Sequence, residues 1–317
     1  MGSLREGQWV RGSVAGDSDD GAFVRRPTTL RHWISAEPDA AFAVESGRYH
    51  LYVSFACPWA HRTLIARELC GLQDAISVTV VDPHMGEDGW AFSDGPGCSP
   101  DPVFGARFLR DVYVRSHPKY TGNVTVPVLL DKQSETIVNN ESRDILRMMS
   151  TVLRPLGRAS HDLCPADKLE VIDATIDANY EPINNGVYKA GFARSQRHYD
   201  AAIDELFAAL GRNEGRLQES RFLCGDELTE ADICLFTTLL RFDTVYHTHF
   251  KCNVRRVADH PALSGFLRDV YQTPGVAHTC NFDHIKRHYY GSHPEVNPSG
   301  VVARGPDLRL DRPHDRG

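Results

Sequence analysis

The sequence predicts an α/β domain followed by an all-helical domain. Three observations support this fold class: residues 49–81 show a strand–helix–strand pattern, residues 124–153 show two further strands and a helix, and strand patterns stop after about residue 165. The 317 residues are 41% hydrophobic and 24% charged. That composition is typical of a globular chain, and its length is enough for two modest domains.

An arm precedes the predicted α/β domain. Residues 1–48 are rich in Gly, Asp and Arg, and we expect an extended arm that is ordered only where its few aromatic side chains pack. From residue 49, Leu51 and Val53 alternate with other residues, which predicts a strand. Pro58 at the first helical position and Gly71 after the last one predict a helix between them. The β-branched run at 76–81 predicts a second strand, parallel to the first.

The rest of this domain contains an insertion and a pair of strands. Residues 83–120 show no sustained period and are too long for a plain connection, so we expect a functional insertion. Residues 124–131 and 136–138 predict the third and fourth strands, and a helix is expected from Glu141 to about residue 153. The predicted domain therefore spans 49–155 and has four strands with helices on both faces.

Helical spacing characterises the predicted second domain, residues 165–290. Apolar residues recur at helical intervals in four segments: 166–186, 194–212, 230–247 and 260–272. Thr229 and Asp232 form the sequence pattern of a capping box, which satisfies backbone N–H groups at a helix start. Residues 291–317 are rich in Pro and Arg, and we expect a tail that lies over the surface or over a partner.

Composition and charge exclude several classes of function. The net charge is −7, which argues against nucleic-acid binding. No apolar stretch is long enough to span a membrane, and the first residues lack the hydrophobic core of a secretion signal. Eight cysteines without a CxxC pair favour thiols in a reduced, cytoplasmic compartment over a disulfide scaffold.

Cys57 is the strongest candidate for chemistry. It lies between a predicted strand and a predicted helix, where free N–H groups and the helix dipole lower the pKa of a thiol, and His61 and Arg62 add positive potential. The alternative is a buried structural cysteine, which is the interpretation we favour for the other seven. The third residue after Cys57 is Ala60, so a mixed disulfide on Cys57 requires an external thiol to resolve it.

Two dipeptides add to this candidate site. Val126-Pro127 places a proline inside a predicted strand, which indicates either a strand edge or a cis bond that turns the Val126 backbone towards an extended ligand. Glu141-Ser142 lies at a predicted helix start, where Ser142 and backbone amides suit a carboxylate and Glu141 suits an ammonium group. Taken alone, the second dipeptide is equally compatible with a simple helix cap.

Two other constellations carry little weight. His247, His249 and Cys252 match no strong zinc spacing, so no metal site is expected. Cys57 and His61 are not accompanied by a protease signature, so acyl transfer is not expected either.

Residues 49–291 resemble the glutathione transferase superfamily and, more narrowly, its Xi class, the glutathionyl-hydroquinone reductases. The resemblance covers about three quarters of the chain. It rests on the stretches 57–62 (CPWAHR), 125–129 (TVPVL), 138–142 (VNNES), 184–193 (NNGVYKAGFA), 228–232 (LTEAD), 241–243 (RFD), 249–252 (HFKC) and 281–285 (NFDHI).

The resemblance implies a fold, a set of roles and a reaction. The fold is a thioredoxin-like N-terminal domain followed by a glutathione-transferase-type helical C-terminal domain, in a homodimer. The reaction removes glutathione from a glutathionyl-hydroquinone through a mixed disulfide, with no bound cofactor and glutathione as co-substrate. The implied roles are Cys57 as nucleophile, Trp90, Val126, Glu141 and Ser142 as thiol-binding residues, and Tyr188, Tyr246 and Tyr289 as the acceptor pocket.

The chain departs from the family pattern at two positions. Asn123 stands where relatives have an arginine that helps to bind the thiol's carboxylate end, and Leu130 replaces a usual tryptophan. The first departure keeps another small thiol, such as mycothiol, open as the co-substrate. Two further alternatives are a conjugating glutathione transferase and a thiol-binding module without catalysis.

Overall fold

The computed structural model describes residues 2–12, 21–158 and 161–316 and divides the chain into two compact units. The first unit comprises Met1–Gly16, Arg25–Ser160 and Asn281–His288, and the second comprises Asp17–Val24, His161–Cys280 and Tyr289–Gly317. Residues 1 and 13–20 of the predicted arm lie outside the described residues, as do residues 159–160 and 317.

A four-stranded mixed sheet forms the centre of the first unit. Its order is β4-β3-β5-β6, in which β3 pairs parallel with β4 and antiparallel with β5, and β5 pairs antiparallel with β6. The predicted parallel pair is therefore confirmed. The elements of this unit are β1 (Gly2–Arg5), β2 (Gln8–Arg11), β3 (Tyr49–Val53), α1 (Pro58–Leu69), β4 (Ile76–Val80), α2 (Leu109–Ser116), β5 (Val128–Asp131), β6 (Thr136–Asn139) and α3 (Ser142–Ser150).

The third strand begins at Val128, four residues later than the sequence predicts. Pro127 has no N–H to donate to a neighbouring strand. The backbone of Thr125 bonds instead to the Tyr113 side chain. The Thr125 C=O accepts from the Tyr113 hydroxyl at 2.9 Å, and the Thr125 N–H donates to the Tyr113 hydroxyl oxygen at 3.3 Å. The segment before Pro127 is thus held outside the sheet.

Residues 2–11 of the predicted arm form a hairpin, which the sequence analysis did not anticipate. Strands β1 and β2 pair antiparallel, and Leu4 exchanges two 2.9 Å backbone hydrogen bonds with Gly122. The hairpin is therefore ordered by backbone pairing, which the expectation of order through aromatic side chains alone did not include. Helix α2 likewise lies inside the predicted insertion 83–120.

A buried ion pair closes the turn between β5 and β6. Asp131 accepts from Arg48 Nε at 2.8 Å and from Nη2 at 2.7 Å, and its side chain is fully buried. It also accepts from the Gln133 amide at 3.0 Å and the Ser134 hydroxyl at 2.7 Å. Burial opposes ionisation of this carboxyl, but the Arg48 and Ser134 hydrogen bonds outweigh it and lower its pKa.

The second unit is helical, which confirms the predicted order of domains. Thr229 and Asp232 form the predicted capping box, and burial raises the pKa of Asp232 to about 6. Short π-helical turns follow two of the helices, at Tyr180–Asn184 and Phe242–Tyr246. The helices are α4 (Leu169–Asn179), α5 (Gly186–Gly191), α6 (Gln196–Glu219), α7 (Glu230–Arg241), α8 (Pro261–Gln272) and α9 (Phe282–Ser292), the last of which begins in the first unit.

Arg316 binds the C-terminal tail to the end of helix α6 in the second unit. Arg316 Nη2 donates to three backbone carbonyl groups at the end of α6, those of Leu217, Ser220 and Arg221, at 2.7–2.9 Å. A guanidinium group at this position satisfies carbonyl groups that a helix end leaves unbonded.

In the part of the chain that the structure describes, no helix is long and apolar enough to cross a membrane.

Candidate active site

Cys57 is the N-cap residue of helix α1. Its backbone is extended (φ −77°, ψ 121°), Pro58 follows as the first helical residue, and the Cys57 carbonyl accepts from the His61 N–H at 3.0 Å. The N-terminal N–H groups and the helix dipole make this a favourable place for a thiolate. The thiol is partly exposed to solvent.

The Val126 backbone lies beside the Cys57 thiol. The Sγ atom is 3.6 Å from the Val126 carbonyl oxygen, and the Val126–Pro127 peptide bond is cis, as one of the two sequence alternatives anticipates. Tyr113 holds this segment through the two bonds to Thr125, and its hydroxyl also accepts from Asn140 Nδ2 at 3.0 Å. One buried phenol thus connects the segment before Pro127 with the segment before Glu141.

Glu141 and Ser142 lie at the start of α3, as the sequence predicts. Glu141 is the N-cap residue, and its Oε1 accepts from the Arg143 N–H at 3.2 Å and the Ser142 hydroxyl at 3.3 Å. Its Oε2 accepts from the Thr28 hydroxyl at 3.3 Å. An ionised carboxylate offers about four acceptor positions, so these three donors leave room for one more.

Asn123 precedes Val126 by three residues. Its carbonyl oxygen accepts from the Tyr120 hydroxyl at 3.1 Å, and the adjacent Gly122 pairs with Leu4 of the hairpin. Gly122 has φ +156°, and a Cβ atom there would lie 2.8 Å from the Tyr120 hydroxyl oxygen, so the turn requires glycine. The backbone at position 123 is therefore fixed independently of the Asn123 side chain.

Trp90 lies in the insertion and is 6% exposed. Its indole ring stacks on the His288 imidazole, with centroids 4.9 Å apart and planes 22° apart. The Trp90 carbonyl accepts from the Leu109 N–H at 2.9 Å, which anchors Trp90 to the start of α2. The segment that carries Trp90 follows β4, whose C-terminal end lies at the same sheet edge as that of β3, the strand before Cys57.

The three tyrosines of the expected acceptor pocket are brought together in the second unit. The Tyr289 hydroxyl lies 2.6 Å from that of Tyr188 and 2.9 Å from that of Tyr246. Burial raises the pKa of Tyr246 and of Tyr289 well above 10, and the nearby Arg241 charge only partly opposes this. Tyr246 and Tyr289 are therefore neutral, and each keeps a hydroxyl hydrogen with which to donate a hydrogen bond.

Aromatic rings enclose the tyrosine cluster. Phe250 packs edge-on against Tyr188 and stacks on Tyr246, with centroid distances of 5.6 and 5.5 Å. Gly191 makes this packing possible, because a Cβ atom there would lie 2.2 Å from the Phe250 ring. Phe23, from the described end of the predicted arm, stacks on Tyr188 at 6.3 Å.

His249 and Cys252, two of the three residues considered for a metal site, make separate contacts. His249 Nε2 lies 3.1 Å from His293 Nδ1, while the Cys252 thiol lies within 4.0 Å of the Val187 and Phe250 carbonyl oxygens. Burial lowers the pKa of His249 to about 4. Within residues 2–12, 21–158 and 161–316, no group of three or more His, Cys, Asp or Glu residues is placed to hold a metal.

Comparison with known proteins identifies the family. The chain matches the glutathione S-transferase N-terminal domain over residues 56–152 and the C-terminal domain over residues 196–269. It is 49% identical to the glutathionyl-hydroquinone reductase YqjG of Escherichia coli over 323 residues, which cover 100% of this chain and 98% of that protein. The chain belongs to the Xi class of glutathione transferases, the glutathionyl-hydroquinone reductases.

Solved Xi-class structures agree with this assignment. The Xi-class transferase from Natrialba magadii superposes with a TM-score of 0.94 at 52% identity, covering 100% of this chain and 96% of that one. The glutathione-bound structure of E. coli YqjG superposes with a TM-score of 0.91 at 47% identity, covering 99% of both chains. The predicted thioredoxin-like domain and the helical transferase domain that follows it are thereby confirmed.

The amino-acid sequence alone did not point to two residues of this Xi-class site. Tyr113 lies in the insertion without a recognisable motif, yet it is fully buried and bonds both site segments. His288 lies immediately before Tyr289 in the sequence, but its stacking on Trp90 joins positions almost 200 residues apart. Local pattern carries no signal for either contact.

Proposed function

We propose that Cys57 is the nucleophile with which this Xi-class enzyme reduces glutathionyl-hydroquinones. The Cys57 thiolate attacks the glutathione sulfur, the sulfur–ring bond breaks, and the electron pair leaves with the ring. The ring takes up one proton and is released as hydroquinone, which leaves a Cys57–glutathione disulfide. A second glutathione thiolate then attacks this disulfide, so that oxidised glutathione leaves and Cys57 is regenerated.

The single observation that carries this proposal is the environment of the Cys57 sulfur. It is partly exposed, it belongs to the N-cap residue of helix α1, and the Val126 backbone lies beside it. A thiolate at a helix N-terminus is stabilised by the dipole, and an extended ligand backbone can pair with Val126. A structural cysteine would need neither exposure nor this position.

The thiol-binding roles follow from the donors and acceptors that each residue has left. Glu141 has one acceptor position available, which suits the ammonium group of a γ-glutamyl moiety. The first amides of α3 suit its carboxylate, and the Ser142 hydroxyl can turn from Glu141 to bond it. Trp90 supplies an apolar face for the thiol. Asn123 stands near the carboxylate end of the thiol, opposite its γ-glutamyl end.

The tyrosine cluster supplies the proton that the departing ring needs. Tyr188 is the most exposed of the three, at 9%, and its hydroxyl is bonded to that of Tyr289. In the chain of hydroxyls from Tyr246 through Tyr289 to Tyr188, each can donate to the next. Such a chain stabilises negative charge on a ring oxygen while delivering a proton.

Glutathione is the thiol that the family favours, since the E. coli relative was solved with glutathione bound. The reaction as written needs no bound cofactor. Mycothiol stays a second candidate because of Asn123, which lacks the charge of an arginine. We further propose a cytoplasmic homodimer, in line with the family resemblance and with the eight cysteines as thiols.

Single-turnover mass spectrometry tests the proposal. Wild-type protein given a glutathionyl-hydroquinone without free thiol should release one hydroquinone per chain and gain one glutathionyl group on Cys57. Cys57→Ser should do neither, whereas Cys98→Ser, which alters another partly exposed thiol, should behave as wild type. An unmodified Cys57 after turnover would favour a conjugating transferase, and unchanged turnover by Cys57→Ser would end the nucleophile assignment.

A further inference from the structure

Two histidines of helix α9 bind the two ends of the segment that carries Trp90. His288 Nδ1 lies 2.9 Å from the Pro83 carbonyl oxygen, and His284 Nε2 lies 2.8 Å from the Pro96 carbonyl oxygen. The two imidazoles are one helical turn apart, so they project from the same face of the helix. Both belong to the same unit as Trp90.

The hydrogen bonds fix which ring nitrogens carry protons. A backbone carbonyl oxygen only accepts, so Nδ1 of His288 and Nε2 of His284 must each be the donor. Each imidazole is therefore held in one orientation. The stacking of His288 on Trp90 depends on that orientation, because a ring fixed at Nδ1 presents a defined face to the indole.

Close packing fixes the other end of the segment. Gly97 lies against His284, and a Cβ atom there would lie 2.9 Å from Nε2. Gly97 also has φ +78°, a conformation that favours glycine. The His284 ring meets the Phe55 ring edge-on at 5.6 Å, and Phe55 precedes Cys57 by two residues.

We propose that His288 is a positioning residue of the thiol site, which acts by holding the Trp90 indole against its own imidazole. Its imidazole acts on the thiol only through Trp90. His284 supports it by anchoring the far end of the same segment. The inference rests on the proposed thiol-binding role of Trp90.

A double-mutant cycle between His288 and Trp90 tests the inference. We expect His288→Ala and Trp90→Ala each to weaken the binding of reduced glutathione, measured by calorimetry, by about three- to tenfold, the range expected for loss of one aromatic stack. If His288 acts through Trp90, the double variant should bind no more weakly than Trp90→Ala. Additive losses would overturn the inference, as would wild-type affinity in His288→Ala.

Two further variants keep the test decisive. His288→Phe retains a ring for stacking and removes only the donor to the Pro83 carbonyl, so affinity between those of wild type and His288→Ala is expected. Should His288→Ala fail to fold, wild-type affinity in His288→Phe would still overturn the inference. Arg287→Ala changes the exposed neighbour on the same helix and should bind glutathione as wild type does.

The cycle separates this inference from the function on which it rests. If Trp90→Ala binds glutathione normally, the thiol-binding role of Trp90 is wrong. If Trp90→Ala weakens binding and His288→Phe does not, only the positioning role of His288 is wrong.

Discussion

The hydroxyl of Tyr289 lies between those of Tyr188 and Tyr246, 2.6 Å from the first and 2.9 Å from the second. Tyr289 is thus bonded to both of the other phenols. Because a hydroxyl has one proton and two lone pairs, Tyr289 can accept from one neighbour and donate to the other. The three hydroxyls form one hydrogen-bonded cluster in which Tyr289 makes the two short bonds.

Removal of the Tyr289 hydroxyl should impair catalysis more than removal of the Tyr246 hydroxyl. We expect Tyr289→Phe to lower kcat by about tenfold or more, since it removes the hydroxyl that bonds both other phenols, and Tyr246→Phe to lower kcat less. Steady-state turnover of a glutathionyl-hydroquinone measures both. Tyr199→Phe, which removes a hydroxyl bonded to the Lys251 carbonyl, serves as the control. Equal kcat values for Tyr289→Phe and Tyr199→Phe would contradict the relay.

The buried phenols should make the protein sensitive to alkali. Burial raises the pKa of Tyr246 and of Tyr289 in the folded state above that of an unfolded tyrosine, about 10. Their contribution to stability is therefore complete below pH 10 and declines as the pH rises further, because the unfolded chain loses these protons first. Urea unfolding at a series of pH values should show this decline, and it should be smaller in the Tyr246→Phe, Tyr289→Phe double variant.

The Arg48–Asp131 pair should contribute strongly to stability. Asp131→Ala leaves a guanidinium without its buried partner, and we expect a loss of about 3–5 kcal/mol in the free energy of unfolding by urea. The matched control is the bidentate pair of Arg115 with Glu135, whose side chains are about half exposed. Glu135→Ala should cost less than about 1 kcal/mol in salt-bridge energy, and similar losses for both pairs would refute the argument.

A positive charge at position 123 should tighten glutathione binding. The backbone there is held by Gly122 and by the Tyr120 hydroxyl, so its position does not depend on the side chain at 123. We expect Asn123→Arg to lower the Kd of glutathione about tenfold by adding a charge-assisted hydrogen bond to a carboxylate. Calorimetry with Asn123→Gln as the uncharged control measures the effect, and unchanged affinity would show that position 123 lies outside the thiol site.

Sequence reasoning reached the parts of the site that depend on neighbours along the chain. Cys57 at a strand–helix corner, Glu141 at a helix start and the Thr229 capping box are all local patterns with a physical cause. The tyrosine cluster was reached only through family resemblance, because Tyr188 and Tyr289 are 101 positions apart.

The contacts that sequence reasoning missed are side chains bonded to a distant backbone. Tyr113 replaces strand pairing for Thr125, so the third strand begins later than its β-branched run suggests. The hairpin at residues 2–11 is stabilised by Leu4 pairing with Gly122, and nothing in its short strands anticipates that partner. Hydrogen bonds of this kind depend on where residues lie in the tertiary structure. The periodicity of hydrophobic residues along the sequence does not encode those positions.

The guanidinium of Arg316 has a consequence for the order in which the chain can mature. The carbonyl groups at the end of α6 receive their donor from 95 to 99 positions further along the sequence. During synthesis on the ribosome, α6 therefore emerges with this end open to water and acquires its final partner only after helices α7, α8 and α9 have followed. The final hydrogen bonds at this end of α6 thus form only after the three helices that follow it have been synthesised.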